Sequence, residues 1–117
     1  MPPRKHEIYW AQLPLRESVD GRSWVVLDEP FIDPEKPGEF LVTVAPVSAA
    51  LDLFSPARDF QIHADEPDFG KTGLKKSSYI AGGRAVHASM ARLGKKKGAL
   101  TGDLLARFVK WSAGYQS

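Results

Sequence analysis

The apolar residues of this chain fall in short runs with a two-residue period, each cut off by proline or glycine. In Glu7–Leu13 (EIYWAQL), Ile8 and Trp10 point opposite to Tyr9 and Ala11, which predicts a strand that ends at Pro14. Residues 14–21 (PLRESVDG) read as a loop, with Asp20-Gly21 as a hairpin-type turn. Ser23–Leu27 (SWVVL) predicts a second strand. Residues 28–38 hold three prolines and four acids and predict a loop. Phe40–Val47 (FLVTVAPV) is the clearest strand, with Pro46 marking an edge or a bulge. Ala49–Phe54 predicts a short helical turn, Phe60–Ala64 a strand, and 65–73 a loop. Ser78–Ile80 and Arg84–Ala88 predict two short strands around Gly82-Gly83, and Met90–Leu93 one helical turn.

Only the last segment has a helical period. Leu104, Leu105, Phe108 and Ser112 share one stripe, which Val109 and Trp111 widen, while Arg107 and Lys110 lie off it. Thr101 is placed to cap the helix, Asp103 sits where the helix dipole favours an acid, and Gly114 is placed to end it. Five or six strands followed by one helix predict a mainly β fold with a C-terminal α-helix: a small, strongly curved sheet or barrel closed by the helix. At 117 residues the chain is a single domain, 1–117, with its core over about 6–114. Three Trp, three Tyr and six Phe supply that core.

Charge changes the picture. Residues 1–70 carry 6 Lys/Arg against 13 Asp/Glu, whereas residues 71–117 carry 10 against 1. Between Lys71 and Lys97 there are eight basic residues and no acid. A folded domain that gathers cations in this way offers a surface to polyanions, and nucleic acid is the commonest of these. The plainer alternative is a solvated basic face relieved by the acidic half packed nearby. With no cysteine, a disulfide framework, a Cys-based zinc site and a Cys nucleophile are all excluded. No segment approaches 18 apolar residues, and no apolar stretch follows the basic start, so neither a membrane span nor a secretory signal is expected, and the reading is cytoplasmic.

The chemistry narrows by residue type. His6, His63 and His87 lack ligand spacing, so no metal is expected; there is no GxxxxGK[ST] loop and no GxSxG elbow. Phosphodiester chemistry on RNA remains. It needs a base for the 2′-hydroxyl proton, a cation for the charge that builds on the phosphorus oxygens, and an acid for the departing 5′-oxygen. The arginine fork matches two phosphate oxygens, and histidine exchanges its proton near neutral pH. Arg22, Arg84 and His87 are candidates on those grounds, and Ser48 offers a hydroxyl to the scissile phosphate. Each also has a structural reading, as a solvated surface arginine or a packed histidine.

Taken in order, several segments resemble the MazF/PemK family of type II toxin–antitoxin toxins. HEIYWAQL stands where that family has its first strand, and GRSWVVL is similar to its "G-x-R-P-x-(L/V)-V" segment. FLVTVAPVSAA is similar to its "V-x-P-(I/V)-T-S" strand. GLKKSSYI and LGKKKGALTGDLLARFVKWSAG look like its later strand and closing helix. The likeness runs from about His6 to Gly114. It implies a small SH3-like barrel and a metal-independent, sequence-specific endoribonuclease, with no cofactor, acting as a homodimer and held by a cognate antitoxin protein. The family's catalytic Arg maps to Arg22 and its catalytic Thr to Ser48. Ser23 replaces the family's Pro, and Ala81 and Gly83 stand where some members place an Arg and an Asp.

On that reading Arg22 stabilises the phosphorane, Ser48 bonds the phosphate, and Arg84 and His87 are further candidates for charge stabilisation and proton transfer. Lys75, Lys76, Lys95, Lys96 and Lys97 hold the RNA backbone by counterion release, without sequence choice. Two alternatives remain. One is a barrel without nuclease activity that binds nucleic acid or protein. The other is an interaction domain whose groove is lined by Tyr9, Trp10 and Trp24.

Overall fold

A computed structural model describes residues 2–14 and 21–116. The loop expected over 14–21 therefore lies mostly outside the described residues. The described chain is mainly β. Its strands are β1 (Glu7–Gln12), β2 (Gly21–Val26), β3 (Phe31–Ile32), β4 (Phe40–Ser48), β5 (Asp59–Ile62), β6 (Ser78–Ala81), β7 (Val86–Ser89) and β8 (Lys96–Ala99). One helix, α1 (Gly102–Gln116), closes it. Single 3₁₀ turns occupy Leu51–Leu53, Phe69–Thr72, Gly82–Arg84 and Met90–Arg92. The strands form one curled antiparallel sheet in the order β5-β6-β4-β2-β1-β8, with β3 and β7 also on β4. This is the small half-barrel with a C-terminal helix that the pattern predicts.

The two-residue period fills two cores, one on each face of the sheet. On the first face Ile8, Val25, Ala45, Val47, Phe60, Ile62 and Ile80 meet Leu104 and Phe108 of α1. On the second, Ala11, Leu13, Trp24, Val26, Val42 and Val44 pack together under Met90 and Leu93. That is why β4 is apolar nearly throughout: its odd residues serve one core and its even residues the other. Each fully buried Val, Leu, Ile or Phe contributes about 1.5–3 kcal/mol. Trp24 is wholly buried, and its indole Nε1–H donates to Ala11 O at 3.2 Å, so the ring carries no unpaired donor into the core.

Five expectations are revised. The strand expected over Arg84–Ala88 begins at Val86, because Gly82–Arg84 coil into a 3₁₀ turn. Five residues, 81–85, face only 45 and 46 of β4 across that break. A short strand, Phe31–Ile32, forms within the proline-rich loop, and a whole strand, Lys96–Ala99, forms where the pattern shows none. Finally, Thr101 does not cap α1. The carboxylate of Asp68 does so from another loop, accepting from the N–H groups of Asp103 (3.1 Å) and Leu104 (3.4 Å). An anion at the helix N-terminus satisfies free donors and meets the positive end of the dipole. Thr101 Oγ1 is buried with no hydrogen-bond partner among the described residues. Gly114, expected to end the helix, lies within it.

Candidate functional site

Strand β4 organises the candidate residues. Its ladder with β2 pairs Val26 with Val44, Val25 with Ala45 and Trp24 with Pro46. Pro46 has no N–H to extend the ladder with β2; along the other edge of β4 the partner changes from β7 to β6, through Val47–Ile80 and Ser48–Tyr79. Arg22 lies two residues beyond Trp24, and Ser48 two residues beyond Pro46. The pairing ends at Trp24–Pro46; the register carried two residues further sets Arg22 opposite Ser48, and the alternation puts both on the face that carries Trp24 and Val44. Both are half-buried. Tyr79, cross-strand from Ser48, continues the line on β6. Arg22, Ser48 and Tyr79 thus form a row across three adjacent strands that lie about 4.8 Å apart where paired.

The row combines a guanidinium, a hydroxyl and a phenol. Ser48 Oγ accepts the N–H of Ala50 at 3.1 Å, which ties down one lone pair and leaves the hydroxyl proton to donate. Tyr79 is buried, with its ring edge-on to Phe54 at 5.7 Å, so its orientation is fixed by packing. The sequence pattern did not single out Tyr79. Its only signal was the Tyr of SSYI, three residues after the lysine pair.

The other candidates lie elsewhere. His87 pairs with Thr43 and shares its face, opposite to that of Ser48; its ring meets Phe31 edge-on at 5.2 Å. Along β4, Thr43 is five residues from Ser48, about 16 Å at the rise of a strand. His87 therefore does not join the row. Arg84 is exposed at the end of the 3₁₀ turn that separates β6 from β7.

Two of the lysine groups are brought together by a crossing of backbones. The Phe69–Thr72 turn packs against β8 so closely that a Cβ on Gly98 would overlap the carbonyl oxygen of Lys71, and a Cβ on Gly73 that of Lys97. Gly73 also needs its positive φ of 75°. Lys71 and the exposed Lys75 and Lys76 thereby come from the segment that meets the exposed Lys95–Lys97.

Lys96 has a partner of its own. Its Nζ lies 2.7 Å from Glu7 Oε2, and the Glu7 side chain is only 16% exposed. Burial pushes the Glu7 carboxyl up, but hydrogen bonds from Lys96, the Arg4 N–H and the Tyr9 hydroxyl outweigh it and hold the group below its ordinary value. The same cluster, with burial leading, pushes the Tyr9 phenol up to about 12. Of the three aromatics placed in a possible groove, Trp24 is buried, Tyr9 is half-buried on Glu7, and Trp10 is 40% exposed.

Among the described residues no helix is long and apolar enough to cross a membrane. No protein-family model matches this chain, and no curated protein matches it.

Proposed function

We propose that this chain is a metal-independent endoribonuclease, the toxin of a type II toxin–antitoxin pair, that cuts single-stranded RNA at the Arg22–Ser48–Tyr79 row. The observation that carries the reading is the row itself: a permanent cation and two hydroxyl donors on one face, at the end of the ladder where β4 leaves β2. RNA holds its own nucleophile, so the chain has only to position the linkage and stabilise its charge. The ribose 2′-oxygen bonds to phosphorus while the P–O5′ bond breaks. Arg22 meets the charge on the non-bridging oxygens and Ser48 donates to one of them. The 2′-proton passes to water, and Tyr79 is the nearest donor in the row for the departing 5′-oxygen. The products are a 2′,3′-cyclic phosphate and a free 5′-hydroxyl.

The exposed lysines around the Gly73–Gly98 crossing supply the sequence-independent attraction for the strand. The same cationic surface suits an acidic antitoxin segment that orders on binding, and the assembly is a cytoplasmic homodimer. Digestion of a mixed-sequence RNA in chelator tests the reading. Cyclic-phosphate ends that vanish in Arg22→Ala and Ser48→Ala are expected, and intact RNA at all protein concentrations overturns it.

A second reading has one observation in its favour. His87, the imidazole expected to transfer the proton, is remote from the row. A barrel that binds RNA or a protein partner without cutting it fits that separation, and predicts RNA binding with no cleavage in the same experiment.

A further inference from the structure

Trp10 is held in an unusual way for so large an exposed ring. Its N–H donates to Lys95 O at 2.9 Å, and its carbonyl accepts from the Gly94 N–H at 2.8 Å, so its backbone is clamped to the segment that enters β8. On the other flank its six-membered ring occupies the space a side chain on Gly21 would need, and Gly94 leaves similar room beside it. Two glycines thus let the indole settle against the sheet while 40% of the residue stays exposed.

The segment that clamps Trp10 is cationic. Lys95, bonded to it through the backbone, is exposed. Arg92 Nη2 donates to the carbonyl of Gln12, two residues along β1 from Trp10, at 3.4 Å. From Met90 to Ala99 the chain carries Arg92, Lys95, Lys96 and Lys97 and no acid. Trp10 pairs with Ser23 while its neighbour Ala11 pairs with Arg22, so the indole lies on the opposite face of the sheet from the row.

We infer that Trp10 is a stacking platform for one base of single-stranded RNA, with Arg92 and Lys95 taking the phosphates on either side. An exposed, backbone-clamped aromatic beside a cationic segment is the arrangement by which single strands are gripped without base-edge readout: the ring takes any base, and the cations release counterions from the backbone. The inference rests on RNA being the ligand, as proposed above, and not on its cleavage.

The test uses an oligoribonucleotide with 2′-O-methyl riboses, which has no free 2′-hydroxyl to attack. Binding is followed by fluorescence anisotropy of the labelled strand and, in parallel, by the protein's tryptophan emission. Trp24 is buried and Trp111 is half-buried, and both are present in the parent and in Trp10→Leu, so the quench assigned to a base stacked on Trp10 is the part that disappears in Trp10→Leu. That variant, which keeps apolar cover over Gly21, binds about tenfold or more weaker, and Trp10→Phe recovers most of the loss. Arg92→Ala with Lys95→Ala lowers the salt slope by about 0.7 for each lost phosphate contact. Anisotropy showing binding with no quench, or Trp10→Leu binding as well as the parent, overturns the platform and leaves the nuclease reading intact. No binding in either signal overturns both. Cleavage of unmodified RNA by Trp10→Leu at unchanged KM overturns the platform alone.

Discussion

Tyr79 stands directly across from Ser48 in the β4–β6 ladder, with both on the face that carries Arg22 at the end of β2. The pairing gives the hydroxyl at position 48 a neighbour that can also donate. Removing one hydrogen-bond donor from a developing phosphorane lowers turnover by about 10²–10³-fold. Ser48→Ala is expected to show a loss of that order at unchanged urea stability, and Ser48→Thr to keep activity. Tyr79→Phe keeps the ring packed on Phe54. Its loss of turnover should shrink on substrates with a better 5′ leaving group, which identifies a proton donor rather than a packing residue.

Lys96 and Lys95 should separate stability from affinity. Lys96→Met leaves the mostly buried Glu7 carboxylate short of its ion-pair partner and is expected to cost roughly 1–2 kcal/mol in urea unfolding. Glu7 is held below its ordinary value of 4.5 in the folded chain, so its contribution is present above that pH and is lost as pH falls through the lower folded value. Lys96→Met should flatten that acid limb. Lys95→Met should leave both stability and acid limb unchanged and weaken RNA binding in low salt.

The cap on α1 makes an unequal pair of substitutions. Asp68→Ala removes the acceptor for two N–H groups and is expected to destabilise by about 1 kcal/mol, within the range for lost caps. Thr101→Val replaces a buried hydroxyl that makes no hydrogen bond among the described residues, and is expected to be neutral or slightly stabilising. Thermal melts of the two variants check the order. Thr101→Val melting below Asp68→Ala would return the cap to position 101.

His6 gives the folded chain a second acid-sensitive feature. It is a non-glycine residue at φ 74°, and its ring lies edge-on to Phe108 at 5.7 Å. Burial lowers its pKa below 6.5, Lys5 adds to the effect, and Asp28 and Glu29 oppose it. The unfolded chain therefore takes up the proton first. Stability is full above pH 6.5 and falls as pH drops from there towards the folded value. His6→Asn, which tolerates positive φ and does not titrate, should remove that slope in urea midpoints measured between pH 7 and 5.

Much of the fold was legible because most strands answer to a core on each side. EIYWAQ, SWVV, FLVTVAPV and FQI alternate as they do because each face of the sheet is buried against something. The strand KKGA has no such pattern. It is a strand because β1 offers an open edge and because Gly98 has no side chain to obstruct the loop beneath it, and neither fact is local. The helix stripe was legible for the same reason as the strands, while its cap was not, since Asp68 comes from 35 residues away.

The candidate residues divide along the same line. Arg22 and Ser48 were legible by chemical type and by resemblance. Tyr79 was not, because its neighbour on β4 depends on where β6 gives way to β7 along that edge. His87 was a candidate by residue type alone. Yet the break at Gly82–Arg84 inserts three extra residues against β4, an odd number, which reverses the faces. Tyr79 and His87, both odd-numbered, therefore end on opposite sides of the sheet.

The stretch from Glu66 to Gly73 works as a rivet. Glu66 holds Arg107 of the helix at 2.7 Å, Asp68 holds the start of that helix, and the 3₁₀ turn that follows lies along the rim at β8. A single protease nick there would loosen the helix and uncover the rim in one step, so these two distant parts of the chain should exchange their amide hydrogens together, ahead of the rest.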